Sequence, residues 1–152
     1  MKLLRLCFCQ IAMICAALTG CAGMGSSEPP APVYDVRSAV VLGGPGIAAP
    51  LLSGISDRVN AAINATVRTD VYPRVVLTIR IVSVTKGQGF DNNRNVAKIT
   101  ADAASVDDGS VIGVSAFDVS SFANDPAMAD QILAEDIAAR LRSAFKLTAG
   151  RG

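Results

Sequence analysis

The segment "RVVLTIRIVSVT", residues 74–85, decides the fold class. β-branched residues hold most of its positions and no apolar stripe with helical spacing runs through it, so it reads as a strand. Alternation puts Val75, Leu77, Ile79 and Ile81 on one face and Val76, Thr78, Arg80, Val82 and Val84 on the other. A strand this apolar on both sides belongs inside a sheet rather than at its rim.

Upstream, "APLLSGISDRVNAAINATVR" places Leu51/Leu52, Ile55, Val59, Ile63 and Val67 about four residues apart, with Pro50 suited to a first turn. That is one apolar stripe of a helix. Before it, "VYDVRSAVVL" (residues 33–42) is rich in β-branched residues and stops at "GGPG", which predicts a first strand. Downstream, "NVAKITADAASV" (95–106) alternates Ala97, Ile99, Ala101 and Ala103 against Lys98, Thr100 and Asp102. Asp107-Asp108-Gly109-Ser110 supplies a hairpin turn into "VIGVSAFDVSSF". Asp125-Pro126 then caps a last helix, whose stripe is Met128 or Ala129, Leu133, Ile137, Leu141 and Phe145. Asp130, Glu135 and Asp136 occupy its first half and Arg140, Arg142 and Lys146 its second, as the helix dipole favours.

The order β-α-β-β-β-α predicts an α+β two-layer sandwich, with two helices packed on one face of a four-stranded mixed sheet. A right-handed crossover through the first helix would make strands one and two parallel and leave the rest antiparallel. Strand order does not follow from the sequence.

The first twenty residues belong to a different part of the protein's life. Lys2 and Arg5 precede Leu6–Leu18, an apolar run long enough for a signal peptide and too short to span a bilayer stably. This run inflates the mean hydropathy of +0.41. Removing Lys2 and Arg5 with no acid leaves 12 basic residues against 13 acidic ones, and that balance argues against nucleic acid as a partner.

Four cysteines are present, and Cys7, Cys9 and Cys15 fall within the segment to be removed. Cys21 would then be the only thiol left. A disulfide needs two, a metal site needs several ligands at fixed spacing, and a cysteine nucleophile lacks its usual base in a chain without histidine. Leu18-Thr19-Gly20-Cys21 resembles the lipobox of bacterial lipoproteins. The resemblance implies cleavage between Gly20 and Cys21 and covalent lipid on Cys21, and Ala22 in place of aspartate implies the periplasmic face of the outer membrane rather than the inner one. Several acyl chains, at about 0.8 kcal/mol per buried methylene, hold permanently where a single chain would not.

Residues 1–20 are thus expected to be a signal peptide and 21–32 a lipidated tether, "AGMGSSEPPAP" after the cysteine. Residues 33–148 would form a single α+β periplasmic domain and 149–152 a tail. Eleven tether residues at about 3.3 Å each reach roughly 36 Å, so the domain stays near the membrane.

Other motifs read as structure. Ser83-Val84-Thr85-Lys86 has the S-x-x-K spacing but ends a strand and has no K-T-G partner. Gly43-Gly44-Pro45-Gly46 lacks the residues of a phosphate loop and reads as a turn. Asp91, Asn93 and Asn95 open like a calcium loop, yet Val96 stands where that loop needs glycine. Asn64-Ala65-Thr66 forms a sequon on a helix. No metal, cofactor or catalytic residue is expected, and an enzyme is the least favoured class.

The apolar residues on the second face of the sheet point instead to binding. In the last strand Ile112, Val114 and Ala116 oppose Val111, Phe117 and Val119. Val76, Val82, Val84, Val111, Phe117 and Val119 are therefore the candidate partner surface. A lipid-anchored domain of this order is similar in architecture to small envelope lipoproteins, including the lipopolysaccharide-assembly lipoprotein and the auxiliary lipoproteins of ABC-type lipid transport. That resemblance implies a non-catalytic accessory or assembly subunit that binds an envelope protein or a second copy of itself. The alternative is a module binding lipid or another small amphiphile.

Overall fold

A computed structural model describes residues 32–149. Strand β1 (Asp35–Gly43) leads into helix α1 (Ala49–Ala65), followed by β2 (Arg74–Gln88), β3 (Arg94–Ser105) and β4 (Val111–Phe122). A short 3-10 turn, Pro126–Met128, then opens α2 (Ala129–Phe145). The sheet runs β1-β2-β3-β4, with β1 and β2 parallel and the other two pairings antiparallel. The class and element order expected from the sequence are those observed, and the strand order is sequential.

α1 lies against β1, α2 against β3 and β4, and the helices pack against each other. Between them and the sheet, Leu51, Ile55 and Val59 of α1 and Leu133, Ile137 and Leu141 of α2 meet Val75, Leu77, Ile79, Ile81 and Ile99 with almost no exposure. β3 contributes Ala97, Ala101 and Ala103 to the same layer. Small side chains there leave room for the leucines and isoleucine of α2. The helices approach closely at Gly54, where an added Cβ would lie 3.3 Å from that of Ala134. Beside the crossing, Glu135 accepts from Arg58 and Arg142, each at 2.8 Å.

The α1 stripe ends one turn sooner than the periodicity predicts. Thr66 Oγ1 donates to the Ala62 carbonyl and accepts from the Thr148 amide, both at 2.7 Å, and the chain leaves the helix there. Val67, expected to be buried, projects into water. Arg68 instead turns to α2 and donates to the carbonyls of Phe145 and Lys146 at 3.0 and 2.8 Å. These bonds satisfy orphan carbonyls at a helix end, where a cation is also favoured by the dipole. Asp125 Oδ1 accepts from the Ala127 amide at 2.9 Å, so the Asp-Pro pair caps the 3-10 turn that leads into α2, and α2 itself begins at Ala129 without a side-chain cap.

Candidate interaction surface

Register fixes which side chains face the helices and which face away. Ile79 pairs with Ala101 and Ile81 with Ile99, all buried under the helices. The pairing then skips a residue: after Ile81 comes Ser83 opposite Lys98, then Val84 opposite Ala97. Val82 is the extra residue of a β-bulge, and a bulge reverses the alternation beyond it. Val84 consequently turns to the helix side and packs against the core.

A second irregularity lies at the start of β4. Val111 pairs with Ala104 and Gly113 with Ala103, which leaves Ile112 as the extra residue. From there Phe117 pairs with Ile99 and Val119 with Ala97, so both point to the helices. Val119 is buried and Phe117 half-buried, with the Arg140 guanidinium 5.1 Å from its ring centre.

Three of the six residues expected on the partner surface therefore belong to the interior layer: Val84, Phe117 and Val119. The simple alternation that grouped them does not survive two bulges. Val76, Val82 and Val111 do face away from the helices, Val76 half-buried and the other two exposed. Sequence reasoning missed Val40 and Leu42 of β1 and Val114 and Phe122 of β4, which share that face by register and are exposed. Period-two spacing alone could not select them, because both parities of β4 carry apolar residues.

The open face is thus a mixed surface. Arg80, Thr100 and Ala116 cross its middle in one row, with Thr78, Asp102 and Val114 in the next. Val82, Lys98, Thr100, Ala116 and Asp118 border a shallow depression of about 320 Å3. Lys98 and Asp118 are paired residues on β3 and β4, an arrangement of opposite charges that favours neither cation nor anion.

The two sheet edges differ. On β1, Asn60 of α1 clamps Ala39: its Oδ1 accepts from the Ala39 amide and its Nδ2 donates to the Ala39 carbonyl, both at 3.2 Å. That side chain occupies backbone groups a further strand would need. Among the described residues, no comparable side-chain clamp holds the β4 backbone beyond Ile112, whose carbonyl accepts from Tyr34 Oη at 3.4 Å. An edge strand of twelve residues without such cover is a template for strand addition.

The remaining motifs take structural roles. Lys86 pairs with Asp130 at 2.5 Å, tying β2 to the start of α2, and Ser83 stays in the strand. The glycine stretch makes a turn, with Gly46 at φ +86° and the Ile47 amide bonded to the Gly44 carbonyl. Asn95, buried, accepts from the Gly87 amide and donates to the Asn93 carbonyl, both at 3.3 Å, and so braces the hairpin. Asp108 accepts from the hydroxyl and amide of Ser110, which hold its carboxyl below the ordinary value. Asn64 lies on α1 and is exposed. Gly20 and Cys21 lie outside the described residues.

This fold is similar to that of a solved bacterial structure. Protein XCC0632 from Xanthomonas campestris, associated with the family model DUF330, is 16% identical; the match covers 77% of this chain and 86% of that one with a TM-score of 0.51. The PelC dodecamer from Paraburkholderia phytofirmans is 15% identical over 74% of this chain and 88% of that one, with a TM-score of 0.48. No protein-family model and no curated protein matches the sequence. At 16% identity the likeness to XCC0632 is one of fold alone.

Proposed function

We propose that the chain is a lipid-anchored protein of the bacterial envelope, held at Cys21 on the periplasmic face of the outer membrane. Its domain serves as a non-catalytic accessory or assembly subunit that docks an envelope protein or a second copy. The observation that carries the docking role is the continuity of the β4 edge with exposed Val111, Val114 and Phe122 on the open face. Strand addition would supply main-chain hydrogen bonds along β4, and these side chains would bury apolar surface in the same event.

Carriage of a lipid or amphiphile between helices and sheet is less well supported. Side chains from Leu51 to Leu141 fill that layer with almost no exposure, so an acyl chain would have to displace the core. The open-face depression would hold such a ligand only from one side.

The test is photo-crosslinking in intact cells from a reactive residue at position 114, compared with position 57 on the outer side of α1. A discrete crosslinked species from position 114 alone is expected. Its absence, or equal capture from both positions, would sink the docking role. Cys21→Ser should abolish acyl labelling and release the chain from the membrane fraction. Unchanged processing and fractionation would remove the anchor.

A further inference from the structure

We propose that the domain rests on the bilayer through one pole, the end at which its chain enters, with the exposed valines of that end in the interfacial layer. This rests on the acylated Cys21 proposed above and adds an orientation to it.

The pole gathers the starts of β1, β2 and β4 and the ends of β3 and α2. Entry of the chain there is fixed by packing. Tyr34 is buried, its ring centre is 6.5 Å from that of Phe145, and its hydroxyl donates to the Ile112 carbonyl. Gly113 admits it, since a Cβ there would stand 2.6 Å from Tyr34 Oη. Pro32 lines the same corner as Ile112 and Phe145.

Around that entry several apolar side chains project into water among charged ones. Val67 is 84% exposed and Val71 fully so, and Val106 and Ile112 are exposed at the same end. Tyr72 is next to Val71, an aromatic residue of the kind enriched at membrane–water interfaces. The charged groups of the pole balance in number, Asp35, Asp70, Asp107 and Asp108 against Arg37, Arg68, Arg74 and Lys146. Arg74 pairs with Asp107 at 2.6 Å, Arg37 with Asp35 at 3.1 Å, and Asp70 accepts from Tyr72 Oη at 3.1 Å. Such a surface meets neither strong attraction nor strong repulsion from lipid headgroups, so apolar contact decides.

Reach selects this pole over the other. The opposite end also carries an exposed aromatic, Phe90, at the tip of the β2–β3 hairpin. β2 has fifteen residues but is irregular at two places against the twelve of β3, so at about 3.3 Å per paired residue the poles stand roughly 40 Å apart. Eleven tether residues extend at most about 36–40 Å, so an inverted domain would hold the tether at full stretch, at the cost of its conformational freedom, whereas the upright one does not. With its entry end down, the domain keeps the open face and the β4 edge beside the bilayer and available to a partner.

The experiment uses the acylated chain in vesicles of phosphatidylethanolamine and phosphatidylglycerol. The mature protein would carry no thiol but Cys21, so Val71→Cys, Val114→Cys and Phe90→Cys can each bear a single environment-sensitive fluorophore. Acylation is checked by mass. Membrane binding should blue-shift the probe at position 71, and lipid spin-labelled near the headgroup should quench it, while positions 90 and 114 stay unchanged. Equal quenching at 114 or 90, or none at 71 with acylated chain, overturns the orientation while leaving the anchor intact. Finding Cys21 unmodified overturns the reading on which the orientation rests.

Discussion

Phe117 and Phe122 are the same residue type on the same strand, five positions apart, and register puts them on opposite sides of the sheet. Phe117 packs against the core opposite Ile99, beneath Arg140, whereas Phe122 is 64% exposed. A fully buried phenylalanine truncated to alanine costs about 3–5 kcal/mol; half that, for a half-buried ring, gives about 2 kcal/mol. Loss of the contact with Arg140 adds about 0.5 kcal/mol. Phe117→Ala should therefore lower the urea midpoint of the unacylated chain by about 1 M, for a slope near 2 kcal/mol per M. In a thermal scan the shift should be about 10 °C, at about 4 °C per kcal/mol. Phe122→Ala should cost under about 0.5 kcal/mol, as exposed substitutions do, while weakening capture of the docking partner. Equal midpoints for the two variants, or the larger loss at Phe122, would refute the register of β4 and the surface built on it.

Gly113→Val should destabilise by about 1–3 kcal/mol because the new side chain must expel Tyr34. Most of that loss should vanish in a Tyr34→Ala background, a coupling measurable in a double-mutant urea series. The hydrogen bond from Arg142, with that from Arg58, holds the Glu135 carboxyl below its ordinary 4.5. Its stabilisation is therefore complete above that value and lost as pH falls through the lower folded one. Half-exposed, Glu135 contributes under about 1 kcal/mol, and Glu135→Gln should flatten the acid limb of a stability profile by that amount. Its neighbour Asp136 has the opposite sign: burial, then the charge of Glu135, raises its carboxyl. Asp136→Asn should accordingly raise the melting temperature at pH 7 and have no such effect once acid has neutralised the carboxylate.

Element order and the interior faces of β2, α1 and α2 were legible in the chain because they rest on local spacing. Residues 75, 77, 79 and 81 alternate without interruption, and the α2 stripe returns every four residues. Both patterns report burial directly. The lipobox-like run ending at Cys21 is likewise short and contiguous, but it lies outside the described residues. Sequential strand order, the clamp of Asn60 on Ala39, and the seating of Tyr34 over Gly113 join residues far apart in the chain. No local pattern encodes them. The open face fell between these cases. Its residues are read by parity, and parity holds only while strand pairing is unbroken. One extra residue at Val82 and another at Ile112 send Val84, Phe117 and Val119 inward and leave Val114 and Phe122 outside. A bulge is a relation between two strands, so the tertiary structure alone could decide which half of an evenly apolar pattern meets water.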